Sequence, residues 1–186
     1  MNPLVIAIDS STTATKAIVV DTEGKVLALG RQDIDLLSPE QGFGEHDPRQ
    51  WWTSTHDAVA QALAQLTPSE KERIAAFGIT HQRESFAPFA ADGTPLRNGI
   101  LWLDIRAADQ VQRYGTPEIH ALSGRPADVT PGLYKMAWLK ENEPESLAKA
   151  DKVTTVSAYI AFCLTGKWVD STACADSLSL SNIKTL

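Results

Sequence analysis

Leu4-Val5-Ile6-Ala7-Ile8-Asp9-Ser10-Ser11-Thr12-Thr13-Ala14-Thr15-Lys16-Ala17-Ile18-Val19-Val20-Asp21 is two apolar runs joined by a polar turn. The first run, Leu4 to Ile8, ends at Asp9, and the second, Ala17 to Val20, ends at Asp21. Runs rich in β-branched residues and bounded by turn residues read as strands. Glu23-Gly24 separates the second run from a third, Val26 to Leu29, so the opening predicts a three-stranded meander. A tight turn between two strands aims backbone N–H groups and short hydroxyls into one concavity, which suits phosphate oxygens. Asp9, at the end of the first strand, can hold Mg²⁺, chiefly through water, because that ion keeps much of its hydration. Lys16 adds a positive charge within reach of the same phosphates. A hairpin whose Ser and Thr side chains bond their own backbone has the same composition, and composition does not choose between the two. Two other nucleotide signatures are absent. There is no Gly-x-x-x-x-Gly-Lys-Ser/Thr, and Gly42-Phe43-Gly44 is followed by Asp47 where a Gly-x-Gly-x-x-Gly motif has its third glycine.

Downstream, Ser38 to Asp47 contains Pro39, Gly42 and Gly44 and reads as loop. Asp47-Pro48 is a helix start, and Trp52, Thr55, Val59, Ala62, Leu63 and Leu66 recur at helical spacing until Thr67-Pro68. Ile74 to Ile79 predicts a buried strand running into Thr80-His81-Gln82-Arg83-Glu84. Phe86 to Phe89 and Gly99 to Trp102 predict strands around the turn Ala91-Asp92-Gly93. From Arg106 to Gly166 helical patterns dominate, broken at Pro117, Pro126, Pro131 and Pro144. Tyr134, Ala137 and Trp138 define one helical face, and Ser157 to Thr165, stopped by Gly166, defines another. Strands first and helices afterwards indicate α/β or α+β with mixed sheet pairing, and 186 residues suffice for one well-cored domain.

Composition excludes several classes. With 43% hydrophobic and 22% charged residues the chain is ordinary globular material. A formal net charge of −6 argues against nucleic acid as a partner. No apolar run approaches the roughly 20 residues of a membrane span. Met-Asn-Pro-Leu-Val lacks the basic start and cleavage site of a signal peptide, so a cytoplasmic location is the expectation. Cys163 and Cys174 fit neither a disulfide framework nor a zinc site, and His46, His56, His81 and His120 share no metal spacing.

A second constellation is Gln82-Arg83-Glu84, just after a strand, with Leu101-Trp102-Leu103-Asp104-Ile105-Arg106. Arg83 offers a forked donor and Glu84 an acceptor, the pair needed to grip neighbouring hydroxyls of a polyol. Trp102 can cover the apolar side of a sugar. His81 lies beside them and can donate a hydrogen bond. The bland alternative pairs Arg83 and Glu84 with each other or with solvent and buries Trp102 in a core.

Asp9 to Lys16, followed by Ala17-Ile18-Val19-Val20-Asp21, resembles the first phosphate segment of the actin/hexokinase/Hsp70-like ATPases, most of all that of the FGGY carbohydrate kinases. Their usual form is Asp-x-Gly-Thr-Thr, and this chain has Ser11 where glycine is usual. Gly78-Ile79-Thr80-His81-Gln82-Arg83-Glu84 resembles that family's substrate segment, Ile100-Leu101-Trp102 with Arg106 its following Ile-x-Trp-x-Asp-x-Arg segment. Gly42 to Pro48 with Trp51 and Trp52 resembles the loop between the two motifs. Lys135-Met136-Ala137-Trp138-Leu139 is similar, more loosely, to the family's Lys-Leu-x-Trp segment. The resemblance implies a ribonuclease H-like α/β domain with a mixed β-sheet flanked by helices, residues 1–186 being an incomplete N-terminal domain. It implies ATP and Mg²⁺ as cofactors. Asp9 would organise the metal, and Ser11, Thr12, Thr13 and Lys16 would contact the nucleotide. His81, Gln82, Arg83, Glu84 and Trp102 would hold a sugar or polyol. A base lying beyond Leu186 would take the hydroxyl proton. Glycerol kinases carry a substrate-contacting tyrosine shortly before the lysine that matches Lys135. Here that position falls near Thr130, and Tyr134 is too close, so a pentulose, hexulose or related polyol is expected rather than glycerol. Asp170 and Asp176 fall in the family's Asp-rich segment and are read as structural first. A non-catalytic sugar-binding module and another ATPase of the same superfamily stay open, as does assembly into a homodimer.

Overall fold

Leu4, Ile6 and Ile8 alternate with Val5 and Ala7, and the strand they form, β1 (Leu4–Ser10), buries the first set almost completely. In the computed structural model it is followed by β2 (Ala14–Asp21), β3 (Val26–Asp33), β4 (Glu45–His46), α1 (Arg49–Leu63), α2 (Pro68–Lys71) and β5 (Ile74–His81). Then come β6 (Phe86–Phe89), β7 (Gly99–Ile100), α3 (Ala108–Tyr114), α4 (Pro117–Ser123), α5 (Gly132–Asn142) and α6 (Pro144–Ala148). The chain continues with β8 (Lys152–Thr155), α7 (Val156–Thr165) and α8 (Thr172–Ser177). Residues 2–185 are described; Met1 and Leu186, which enter the readings of the two chain ends, lie outside them, as does the Ala175 side chain. Instead of one core there are two compact units. The first holds the chain up to Asp35 together with Arg49–Gln82, and the second holds Leu36–Pro48 and the chain from Arg83 onward.

The first unit is a four-stranded mixed sheet in the order β3-β2-β1-β5. The expected meander is there: β1, β2 and β3 are antiparallel, with β3 running on to Asp33, while β5 is parallel to β1. Helix α1 closes one face, placing Ala58 and Ala62 against Leu4, Ile6, Ile8, Ala17, Val19 and Ala28. Its buried residues are Trp51, Ser54, Thr55, Ala58 and Ala62. Of the expected stripe, Thr55, Ala62 and Leu66 are buried, Val59 and Leu63 pack partly buried against the core, and Trp52 yields the innermost place to Trp51, while Ala58 adds itself at the centre of the face. Small residues decide this. A Cβ on Gly30 would sit 1.9 Å from the Ala58 carbonyl oxygen, so helix and strand approach closely only because both positions are small. Gly30→Ala is therefore expected to lower stability by about 1–3 kcal/mol through overpacking, measurable by urea unfolding.

The expected burial of Ile74 to Ile79 is not met. Strand β5 is the sheet edge, bonded to β1 alone among the described residues, and its Phe77 is 50% exposed. An apolar strand read without its neighbours looks like a core strand; its place in the strand order leaves one long side and much of both faces uncovered.

The second unit is an antiparallel sheet in the order β4-β7-β6-β8. Its core joins Phe86, Ile100, Leu139 and Leu178, with Met136, Trp138, Leu147 and Val153 packed around them. Two readings change. The stretch read as loop contributes β4, and the strand expected to reach Trp102 ends at Ile100. On α5 the most buried side chains are Tyr134, Lys135 and Leu139, not Ala137 and Trp138. Helix α7 ends as expected, with Gly166 in the left-handed region at φ 71°. Among the described residues no helix is long and apolar enough to cross a membrane.

Candidate functional site

In the first unit the hairpin joining β1 to β2 is closed by the Ser11 N–H donating to the Ala14 carbonyl at 3.0 Å. The hydroxyls divide into two sets. Ser10 and Thr15 are buried, Thr15 meeting the Ser54 hydroxyl of α1 at 2.7 Å, so these two hold the turn against the helix. Ser11 and Thr12 are half-buried and Thr13 is exposed, leaving the outer set at the tip. Ser11 Oγ donates to Asp9 Oδ2 at 2.8 Å, and Lys16 Nζ lies 3.9 Å from the same oxygen. The hairpin thus gathers Asp9, Ser11 and Lys16, with the Asp9 side chain still 42% exposed. Beside them is a pocket of about 300 Å³ lined by Ala7, Ile8, Asp9, Lys16, Ile18 and Thr80. Ser11 does not carry a positive φ, so serine is not strained where a glycine was the usual residue.

Parallel pairing brings the end of β5 alongside: His81 is in register with Ser10, and the Gln82 N–H donates to the Ser10 carbonyl at 2.9 Å. A His81 ring nitrogen, Nδ1, is 2.7 Å from the Gln82 carbonyl, which fixes the ring beside the strand end. Asp9, Ser11, Lys16, His81 and Gln82 therefore cluster at one end of one sheet.

The chain leaves the first unit between Gln82 and Arg83. In the second unit Arg83 and Glu84 do not pair with each other. Arg83 Nη2 donates to the Asp176 carboxylate and to the Ala173 carbonyl, each at 3.1 Å. Glu84 accepts from Arg125 Nη1 at 2.9 Å, and the same nitrogen donates to the Ser177 carbonyl. Glu84 has φ 64°, left-handed backbone in a residue that is not glycine, a strain typical of residues held in place for a task. Trp102 is 42% exposed, so it is not core, whereas its neighbour Leu101 is fully buried. Its N–H donates to the buried Ser85 hydroxyl at 3.1 Å, one residue from Glu84. Arg83 is thus tied to Asp176, Glu84 to Arg125, and the Trp102 backbone to Ser85 beside them.

Two partners were not legible beforehand. Arg125 follows Gly124 and precedes Pro126, with no motif of its own, and Asp176 stands in an Asp-rich segment that reads as structural first. Asp170 accepts from the Thr155 and Ser157 hydroxyls at the start of α7 and from the Ser171 N–H. Burial would raise its pKa, but those hydroxyls outweigh burial and hold it below the ordinary carboxylate value. Cys163 and Cys174 are half-buried thiols outside any disulfide, with their pKa values pushed up by burial, so neither is poised as a nucleophile.

Residues 4–186 match the N-terminal domain of the FGGY family of carbohydrate kinases. The chain belongs to that family. Among curated proteins it is 34% identical to a glycerol kinase of Thermococcus gammatolerans, the match covering all of this chain and 39% of that protein. It is 36% identical to a xylulose kinase of Streptomyces coelicolor over 89% of this chain and 34% of that one. Among solved structures, a ligand-bound xylulose kinase from Lactobacillus acidophilus superposes with a TM-score of 0.91 at 30% identity, over 99% of this chain and 38% of the other. The fold is the FGGY one, actin/hexokinase-like α/β with a mixed sheet and flanking helices. The chain spans well under half the length of these relatives.

Proposed function

We propose that the protein containing this chain transfers a phosphoryl group from ATP to a hydroxyl of a sugar or polyol, and that this chain supplies the phosphate hairpin and part of the sugar site. The observation that carries the reading is the half-exposed Asp9 carboxylate at a strand end, flanked by the Ser11 hydroxyl and the Lys16 ammonium. That donor set fits a hydrated Mg²⁺ next to phosphates: Asp9 offers oxygens open to solvent, and Lys16 is close enough to exchange its carboxylate for a phosphate oxygen. When bound, Mg²⁺ draws charge off the phosphate oxygens. Ser11, Thr12 and Thr13 line the turn that would receive those oxygens. His81, Gln82, Arg83, Glu84 and Trp102 would hold the sugar, Arg83 being held by Asp176 and Glu84 by Arg125. The group that takes the hydroxyl proton is assigned outside this chain, and phosphoryl transfer depends on positioning by both parts. The glycerol and xylulose kinases among the relatives support the substrate class; Thr130 near the position of the glycerol kinases' tyrosine favours a pentulose or hexulose. A cytoplasmic site of action goes with Cys163 and Cys174 standing outside any disulfide.

The test is ADP release by the full-length protein with Mg-ATP and a panel of glycerol, pentuloses, hexuloses and gluconate. Sugar-dependent ADP release, greater with a pentulose or hexulose than with glycerol, is expected. Sugar binding that ignores nucleotide would instead identify a binding module. ATP hydrolysis indifferent to every polyol would identify another ATPase of the fold.

A further inference from the structure

Lys135 is a lysine with none of its surface exposed, and among the described residues its ammonium meets backbone carbonyls rather than a carboxylate. Its stem runs inward from α5, and its ammonium donates to three backbone carbonyls: Leu101 at 2.7 Å, Trp102 at 2.9 Å and Thr130 at 3.0 Å. Fully burying a charged lysine without a carboxylate is costly, and such lysines are rare. What offsets the cost is geometry. An ammonium has three N–H donors and no acceptor, and three carbonyls converge on it. The first two belong to the turn that presents Trp102; the third belongs to the segment leading into α5, where Thr130 also bonds Asp128. One side chain therefore ties two separate loops, 28 residues apart at Trp102 and Thr130, to one helix.

We propose that Lys135 is a positioning residue for the sugar site, setting the distance between the Trp102 turn and the Thr130 segment so that both face one substrate. The proposal rests on the sugar site assigned above and adds to it a residue that touches no substrate. An uncharged isostere cannot replace it, because methionine has no donor and leaves the Trp102 and Thr130 carbonyls without their bond. A neutral amine does only part of the work. It has two N–H groups for three acceptors, so one carbonyl must face a lone pair. The charged groups that act on the ammonium are Asp104, Glu84 and Asp128, which favour the charge, and Arg106, which opposes it. Burial dominates and brings the pKa down to about 8. The clamp is therefore complete below that pH and loses one of its three bonds above it.

The test is steady-state kinetics of the full-length enzyme and its Lys135→Met variant against sugar and ATP, from pH 6.5 to 9.5, with melting temperature as the folding check. For the wild type, sugar KM should rise above pH 8 while ATP KM stays flat. In Lys135→Met, sugar KM should be raised about tenfold or more at pH 7, the order expected for a lost buried charge-assisted bond, ATP KM should stay within twofold, and the alkaline rise should vanish. Should Lys135→Met not fold, Lys135→Gln, which keeps two donors and no titration, takes its place with the same expected loss of the alkaline rise. An active wild type whose variant melts lower but shows unchanged sugar KM, or equal changes in both KM values, overturns the positioning role and leaves the kinase reading standing. A wild type without phosphotransfer overturns both.

Discussion

Replacing Asp9 with asparagine in the full-length protein is expected to reduce kcat for phosphotransfer by about 10³-fold, the scale of removing one preorganised charge-stabilising group, while sugar KM stays within twofold. The substitution keeps the shape of the side chain and its capacity to accept from Ser11 Oγ at 2.8 Å. What it removes is the charge. A neutral amide cannot order the hydration shell of Mg²⁺ as a carboxylate does, and it releases Lys16 from its 3.9 Å ion pair. Folding should hardly change, because both partners are about half exposed and such a surface pair contributes at most about 1 kcal/mol. The check is a coupled ADP assay with Mg²⁺ varied, alongside thermal melting. The half-saturating Mg²⁺ concentration should rise and the melting temperature should stay. Activity within tenfold of the wild type would remove Asp9 from metal handling.

The parts of this molecule that were legible in sequence are those whose determinants are local. The hairpin around Asp9 to Lys16 needs only two apolar runs and a turn between them, and both runs are strands, although the turn is shorter than the polar stretch: β1 runs on to Ser10 and β2 already begins at Ala14. The stop of α7 at Gly166 needs one glycine. What was not legible depends on neighbours distant in sequence. Ile74 to Ile79 has the composition of a core strand, yet its exposure follows from edge position, which no window of eight residues contains. In helix α1 Ala58 is fully buried because it faces Gly30, a close approach that lies 28 residues away in sequence and that the larger apolar residues of the stripe do not announce.

The candidate site divides in the same way. Asp9, Ser11 and Lys16 meet because they are near in sequence. Arg83 and Glu84 could be named, but their partners Asp176 and Arg125 lie 93 and 41 residues away. In sequence Lys135 stands out only as the first residue of Lys135-Met136-Ala137-Trp138-Leu139. A lysine in sequence reads as surface, and nothing local announces three carbonyls waiting for its ammonium.

The same limit hid the ionic core of the second unit, where the last large effect is expected. Glu45 sits in the stretch read as loop, yet its side chain is 7% exposed and accepts from two arginines, Arg97 and Arg106, at 2.7 Å each, and from Asn98 at 3.1 Å. Arg106, 1% exposed, also grips Asp104, and its guanidinium lies 3.9 Å from the Phe43 ring centre and 4.9 Å from that of Trp138. Asp104 in turn accepts from the Gly44 N–H at 2.7 Å, so the network fastens the Gly42–Pro48 segment to the turn that carries Trp102. Glu45→Gln keeps the volume and breaks the charge balance. Removing one partner of a buried pair costs about 3–5 kcal/mol because the other charges remain buried. Burial alone would raise the Glu45 pKa, but Arg106, Arg97 and Asn98 hold it below its ordinary value of 4.5. A carboxylate depressed in the folded state contributes stability that is complete above 4.5 and is lost as pH falls through the depressed value. The gap between wild type and Glu45→Gln in urea unfolding, followed by tryptophan fluorescence, should therefore be full at pH 7. It should narrow steadily below pH 4.5, as protonation makes the native side chain resemble the variant. A gap that stays constant into acid would mean that packing, not charge, holds the segment in place.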